Sequence, residues 1–193
     1  MDRTRIARPA VAAAIVFALT ALGAAGCSRT EEKADGAPPA QADRPSPNVT
    51  IKTYDTLGDV PLVALDGTAY RLSHYRGNIV VLCLFATWSE DCVAQIRELN
   101  GLHEKIKNHR MTVLGIALDK DGPAAVRRLA ERQPISFPVF TNGAAIVNDL
   151  GGVRKLPTTY VLLREGHIFY KAIGFETAKR FEDQIRLIRA QRL

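Results

Sequence analysis

Residues 77–92 read Gly77-Asn78-Ile79-Val80-Val81-Leu82-Cys83-Leu84-Phe85-Ala86-Thr87-Trp88-Ser89-Glu90-Asp91-Cys92, and this stretch decides the fold. The run from Ile79 to Phe85 is apolar without interruption and bounded by Gly77-Asn78. A strand keeps no polar alternation only where both of its faces are covered, so the run predicts a central strand. Ser89 then stands where it can cap a helix, its oxygen within reach of the Cys92 N–H. Cys92, Ile96, Leu99, Leu102 and Ile106 follow at helical spacing on one face. A buried strand that feeds an amphipathic helix through a short turn is the first half of an α/β layer.

The same signals recur on either side. Upstream, Leu62 to Leu65 and Thr68 to Leu72 flank Asp66-Gly67, which supplies the positive φ of a tight turn, so a hairpin is expected. Downstream, Met111 to Leu118 reads as another buried strand, and Pro123 opens a helix with Val126, Leu129 and Ala130 inward. Phe137 to Phe140 reads as a short strand and Ala144 to Leu150 as a short helix stopped by Gly151-Gly152. Thr158 to Leu163 and His167 to Ala172, around Glu165-Gly166, form a second hairpin. Thr177 is placed to cap a last helix with Phe181, Ile185 and Ile188 buried. Residues 51–193 are therefore expected to form one α/β domain with a mixed sheet.

The remainder reads as delivery rather than fold. Arg3, Arg5 and Arg8 precede an uncharged stretch from Ala10 to Ala25, shorter than the roughly 20 residues that span a bilayer. It ends in Ala24-Ala25-Gly26-Cys27, which resembles a bacterial lipobox with Ala24 where Leu is usual. Residues 1–26 are expected to be a lipoprotein signal and Cys27 the lipidated first residue of the mature chain. Residues 27–50 hold Pro38, Pro39, Pro45 and Pro47 and almost no large apolar side chain, as expected of a disordered tether. The domain would then sit in the bacterial cell envelope, lipid-anchored and facing the periplasm or the extracytoplasmic side. With 193 residues the chain has room for one globular domain, and three cysteines are too few for a disulfide-framed scaffold. A net charge of +6, from 26 basic and 20 acidic residues, gives no basic patch that calls for nucleic acid. Arg186, Arg189 and Arg192 complement a helix C-terminus instead.

The segments Asp66-Gly67 to Gly77, Ile79 to Cys92, Leu114 to Asp119, Phe137-Pro138 and Leu156-Pro157-Thr158-Thr159 with Glu165-Gly166 resemble the TlpA/ResA-like thioredoxin family over nearly all of residues 58–192. The resemblance implies a thioredoxin fold, a mixed central sheet flanked by helices, with an N-terminal β-hairpin and a central αβ insertion. It implies an envelope-anchored thiol:disulfide reductase acting on extracytoplasmic protein thiols, in thiol redox or cytochrome c assembly. It also implies a cis Leu156-Pro157 bond, with the Leu156 backbone free to pair with a substrate chain and Trp88 beside it as a recognition element. No cofactor and no metal is implied.

The motif departs from this family where its chemistry begins. Trp-Cys-x-x-Cys is replaced by Trp88-Ser89-Glu90-Asp91-Cys92, so serine holds the place of the attacking thiolate. A serine hydroxyl without an adjacent base does not perform that attack. Cys92 sits where the helix dipole lowers a thiol pKa, but Glu90 and Asp91 oppose the thiolate; it reads as a weak nucleophile or as a small buried residue. Ser89 reads equally as a plain N-cap, and Trp88 as core packing. By resemblance Cys83 holds the position of the buried aspartate of thioredoxin, beneath Cys92, as a partner thiol or as core filling. Gln95 stands where the family commonly has Glu, and Arg97 where it has a helix-kinking proline, implying a straighter helix.

Two function classes remain open: an atypical oxidoreductase using Cys92 with or without Cys83, and a noncatalytic module that holds a thiol-containing partner. Ser89-x-x-Cys92 also matches the Ser/Thr-x-x-Cys of peroxiredoxins, but Phe85 stands where they have proline. A copper-site role lacks the closely spaced second cysteine, and His74, His103, His109 and His167 show no ligand spacing and are expected at the surface or in loops.

Overall fold

A computed structural model describes residues 55–191. The expected signal, the Cys27 lipidation site, the tether and Arg192 lie outside the described residues. Three-residue strands β1 (Pro61–Val63) and β2 (Ala69–Arg71) form the first hairpin, with Leu62 opposite Tyr70 and Gly67 at φ 88° in the turn. The second strand ends sooner than expected. Leu72 opens a 3-10 turn (Leu72–Tyr75), with its N–H still bonded to the Val60 carbonyl at 3.0 Å and its side chain buried in the core.

The main sheet has five strands in the order β5-β4-β3-β6-β7: β3 (Ile79–Phe85), β4 (Met111–Ala117), β5 (Val139–Phe140), β6 (Thr158–Leu162) and β7 (Ile168–Ile173). β3 pairs parallel with β4 and antiparallel with β6, so the mixed sheet is as expected. The chain crosses over by α1 (Glu90–Ile106) and α2 (Pro123–Arg132); α3 (Ala144–Asp149) precedes β6 and α4 (Ala178–Ala190) closes the fold.

All seven residues of β3 are buried because two cores meet across it. Ile79, Val81, Cys83 and Phe85 face one core with Cys92, Ile96, Leu99 and Leu102 of α1 and Phe181, Ile185 and Ile188 of α4. Val80, Leu82 and Leu84 face the other with Leu62, Leu72, Ile146 and Phe140. The alternating side chains of one strand thus serve both layers. Gly115 lies beside Cys83 in the register, and a Cβ there would come within 2.9 Å of the Phe137 ring and 3.0 Å of the Phe85 ring, so the glycine makes room for both.

Three further expectations are corrected. The strand anticipated over Phe137 to Phe140 is confined to Val139–Phe140, Pro138 contributing only its carbonyl, to Gly115. His103 is buried rather than at the surface: β5 is too short to cover β4 along its length, and His103 Nδ1 accepts from the Val113 N–H at 3.5 Å where no strand does. Thr177 is the N-cap of α4 by position, but its side chain caps nothing; the Glu98 carboxylate of α1 accepts from the Ala178 N–H at 2.7 Å instead. No helix among the described residues is long and apolar enough to cross a membrane.

Candidate functional site

The turn from β3 into α1 is fastened from below. Asp119, just past the end of β4, accepts from the Thr87 N–H at 3.0 and 3.1 Å and from the Thr87 hydroxyl at 2.7 Å. With Thr87 held, the next side chain is turned outward: Trp88 is 76% exposed, which removes core packing as its explanation. An indole left in water beside a rigid turn is a contact surface.

Ser89 has extended backbone angles and accepts from the Cys92 N–H at 3.4 Å, so the capping role read from the sequence is present. Glu90 and Asp91 are exposed, while Cys92 has no accessible surface. Burial is the first cause that pushes the Cys92 thiol up; the Ser89 hydroxyl and the Ala86 backbone pull it down, and the Asp91 and Asp119 carboxylates push it up again. The outcome is a raised pKa and a protonated thiol at neutral pH, a poor nucleophile toward a disulfide or a peroxide.

Cys83 lies deeper, and burial pushes its thiol up to about 12, with Cys92 adding to the rise. Thr159, directly opposite in the β3/β6 register, faces this thiol and pulls against the shift; its buried hydroxyl makes no well-formed hydrogen bond. Both cysteines are free and belong to the same large core cluster, and Cys92 is among the groups that raise the Cys83 pKa.

The facing loop carries the cis Leu156-Pro157 bond. Pro157 is buried and its carbonyl accepts from the Gly174 N–H at 2.8 Å. Leu156 is half-buried and packs against both cores, and its own N–H and C=O have no partner among the described residues. That is the free backbone an extended chain needs for pairing.

Sequence reading missed what holds the junction between β7 and α4, residues 174–177. Gln95 is fully buried and exchanges two hydrogen bonds with the backbone of Glu176, Nε2 donating to its carbonyl at 3.0 Å and Oε1 accepting from its N–H at 2.8 Å. The one signal was a polar residue on the buried stripe, beside Ile96. Phe175, next to this clasp, is 42% exposed. Arg97 bonds Gln133, and α1 runs through its position as one helix of 17 residues. Among the described residues no group of three or more His, Cys, Asp or Glu gathers as a metal site would require.

The site thus keeps an exposed aromatic, a cis-proline loop and a free backbone, but no exposed thiol. The family model described as AhpC/TSA matches residues 46–171. The thiol-disulfide oxidoreductase ResA of Geobacillus kaustophilus is 28% identical over 139 residues, 72% of this chain and 79% of that one. ResA of Bacillus anthracis is 27% identical over 125 residues, covering 64% and 71%. Among solved structures, a thiol:disulfide interchange protein DsbE from Chlorobium tepidum superposes with a TM-score of 0.62 at 25% identity, over 69% of this chain and 95% of that one. A secreted thiol-disulfide isomerase from Corynebacterium glutamicum, at 24% identity, shares the fold with a TM-score of 0.61 over 66% and 81%. The chain belongs to the AhpC/TSA family, as a TlpA/ResA-like member with a thioredoxin fold.

Proposed function

We propose that this chain is an envelope-anchored thioredoxin-like protein that holds thiol-containing partner polypeptides, in extracytoplasmic thiol redox or cytochrome c assembly, without running the two-cysteine disulfide cycle of its relatives. One observation carries the reading: Ser89 occupies the attacking position and the remaining motif thiol, Cys92, is buried and raised in pKa, while Trp88 stands 76% exposed and the cis-proline loop keeps an unpaired Leu156 backbone. The elements for grasping an extended chain persist, and the first step of exchange has no nucleophile. The names of the relatives supply the class of partner, a protein bearing thiols or disulfides. Lipid anchoring rests on the reading of Ala24-Ala25-Gly26-Cys27 and is checked by mass analysis of the mature N-terminus.

The test is a disulfide-reduction assay on insulin with dithiothreitol as electron source. The wild-type chain is expected to match the uncatalysed rate and Ser89→Cys to exceed it clearly, because the variant regains an attacking thiol at a helix start. Catalysis by the wild type that Cys92→Ser abolishes would overturn the reading. It would favour a second one, suggested by the two free thiols sharing a core. There Cys92, as thiolate, attacks a substrate disulfide and releases one substrate thiolate, and Cys83 then displaces the other while a Cys83–Cys92 bond forms. Counting free thiols by mass across a series of fixed potentials separates the two, since only the second loses both thiols at one potential.

A further inference from the structure

On the sheet face away from Cys83 and Cys92 lies a cavity of about 140 Å³. Leu57, Tyr160 and Ile168, buried members of the second core, line it, and Lys171 is half-buried beside them. Asp55 and Asp149 line it from exposed positions. A bulge in β7 builds this wall. Ile168 and Lys171 are three residues apart, and on a regular strand they would face opposite sides of the sheet. The register shifts between Val161 and Leu162, Leu162 pairing with Ile168 but Val161 with Tyr170. Phe169 is therefore the extra residue, and the side chains of Ile168 and Lys171 come to one face. The segment before β1 is tied against the start of β7: the Ile168 N–H donates to the Asp55 carbonyl at 2.9 Å, the Leu57 N–H donates to the Gly166 carbonyl at 3.1 Å, and Thr56 Oγ1 lies 2.7 Å from His167 Nδ1. Asp149, the last residue of α3, is fixed through Oδ2, which accepts from the Gly58 N–H at 2.7 Å.

The walls of this cavity carry charge that the protein does not answer. Lys171 Nζ lies over the Tyr160 ring, 5.3 Å from its centroid, and joins no ion pair among the described residues; nor do Asp55 and Asp149. The Tyr160 hydroxyl is buried without a hydrogen-bond partner. The two carboxylates oppose a bare anion, and the ammonium in the same cavity opposes a metal ion or a simple cation. A molecule that carries both charges meets both demands. We propose that this cavity binds a small zwitterion, a free α-amino acid with an aliphatic side chain: its ammonium at Asp55 and Asp149, its carboxylate at Lys171, and its side chain against Leu57, Leu150 and Ile168. The volume is of the order that admits benzene in a protein interior, which suits an amino acid as small as valine. This site stands apart from the holding reading above, because its buried lining belongs to the second core and the two thiols to the first.

The test titrates the full chain with L-valine by calorimetry, beside its two halves: isobutylamine, which lacks the carboxylate, and isovalerate, which lacks the ammonium. Valine is expected to bind saturably and about tenfold or more tightly than either half, since each half gives up one of the charge pairs. This comparison needs only the wild-type chain. Lys171→Met should bring valine down to the level of isobutylamine, and Asp55→Asn should move it toward that of isovalerate. Arg186→Met, on α4, should change nothing, and melting curves without ligand show that the three variants are folded. Absence of saturable valine binding up to about 10 mM overturns the site. Isobutylamine or isovalerate binding as tightly as valine overturns the zwitterion. Valine binding that neither Lys171→Met nor Asp55→Asn weakens overturns its placement in this cavity.

Discussion

At the scale of single residues, the chemistry of this site is decided by where two sulfurs sit. A thiol at a helix start is ordinarily acidified by the dipole, and the Cys92 position alone suggests an active thiolate. Burial works against this, and the Asp91 and Asp119 carboxylates add to it. The sign of the acidic neighbour was readable in Glu90-Asp91; the contribution of Asp119 was not, because only the fold brings the end of β4 beneath Thr87. Iodoacetamide at pH 7.5 is therefore expected to modify Cys92 and Cys83 of a Cys27→Ser chain more slowly than free cysteine, Cys83 the slower of the two, because a raised pKa leaves less thiolate and burial bars the reagent. In guanidinium both should react at the free rate. Mass spectrometry of timed aliquots reads this directly, and fast native labelling at Cys92 would return it to the list of nucleophiles.

At the scale of elements, α1 does more than carry the motif. Its Gln95 and Glu98 hold the junction between β7 and α4, so one helix sets the position of two loops of the site. Gln95 suits the task because an amide both donates and accepts. A carboxylate accepts from the Glu176 N–H but repels its carbonyl, whereas the protonated acid can serve both. Gln95→Glu is therefore expected to carry a folded-state carboxyl pKa raised above its ordinary ~4.3. The stability contributed by that group is present at low pH and lost as pH rises through the raised value. Melting temperatures at pH 5 and pH 8 should show the variant losing ground to wild type at the higher pH. Gln95→Leu should lose about 1–3 kcal/mol at both, since it removes both buried hydrogen bonds between Gln95 and the Glu176 backbone. Equal losses for Gln95→Glu at the two pH values would show that the clasp does not depend on the donated hydrogen.

At the scale of the whole molecule, what was legible was what depends on local pattern. The Ile79–Phe85 strand, the Ser89 cap, the Cys92 to Ile106 stripe and the mixed sheet follow from apolar spacing and turn residues. The cap of α4 by Glu98, 80 positions away, and the Gln95 clasp, 81 away, do not, because a polar side chain's partner is chosen by packing and leaves no periodicity. His103 was misjudged for the same reason: β4 needs an acceptor only because β5 is two residues long. These placements set the pH range in which the fold is strongest. Burial lowers the His103 pKa below its ordinary 6.5, with Glu104 opposing and Lys107 adding, so the unfolded chain binds the proton first and stability falls as pH drops below about that value. Protonated Nδ1 also cannot accept from Val113. Cys83 acts at the other end: its folded pKa of about 12 exceeds the ordinary 9.0, so its contribution is intact below 9.0 and is lost, at about 1.4 kcal/mol per pH unit, as pH climbs toward 12. Thermal melts across pH should thus give a plateau with two shoulders. His103→Gln, which keeps an acceptor but does not titrate, should flatten the acid shoulder alone. Cys83→Ala should lower the plateau through the cavity it leaves, yet make the alkaline shoulder shallower, leaving the part that the raised Cys92 thiol contributes. An acid shoulder unchanged in His103→Gln would remove His103 as its source, and an alkaline one unchanged in Cys83→Ala would do the same for the buried thiol.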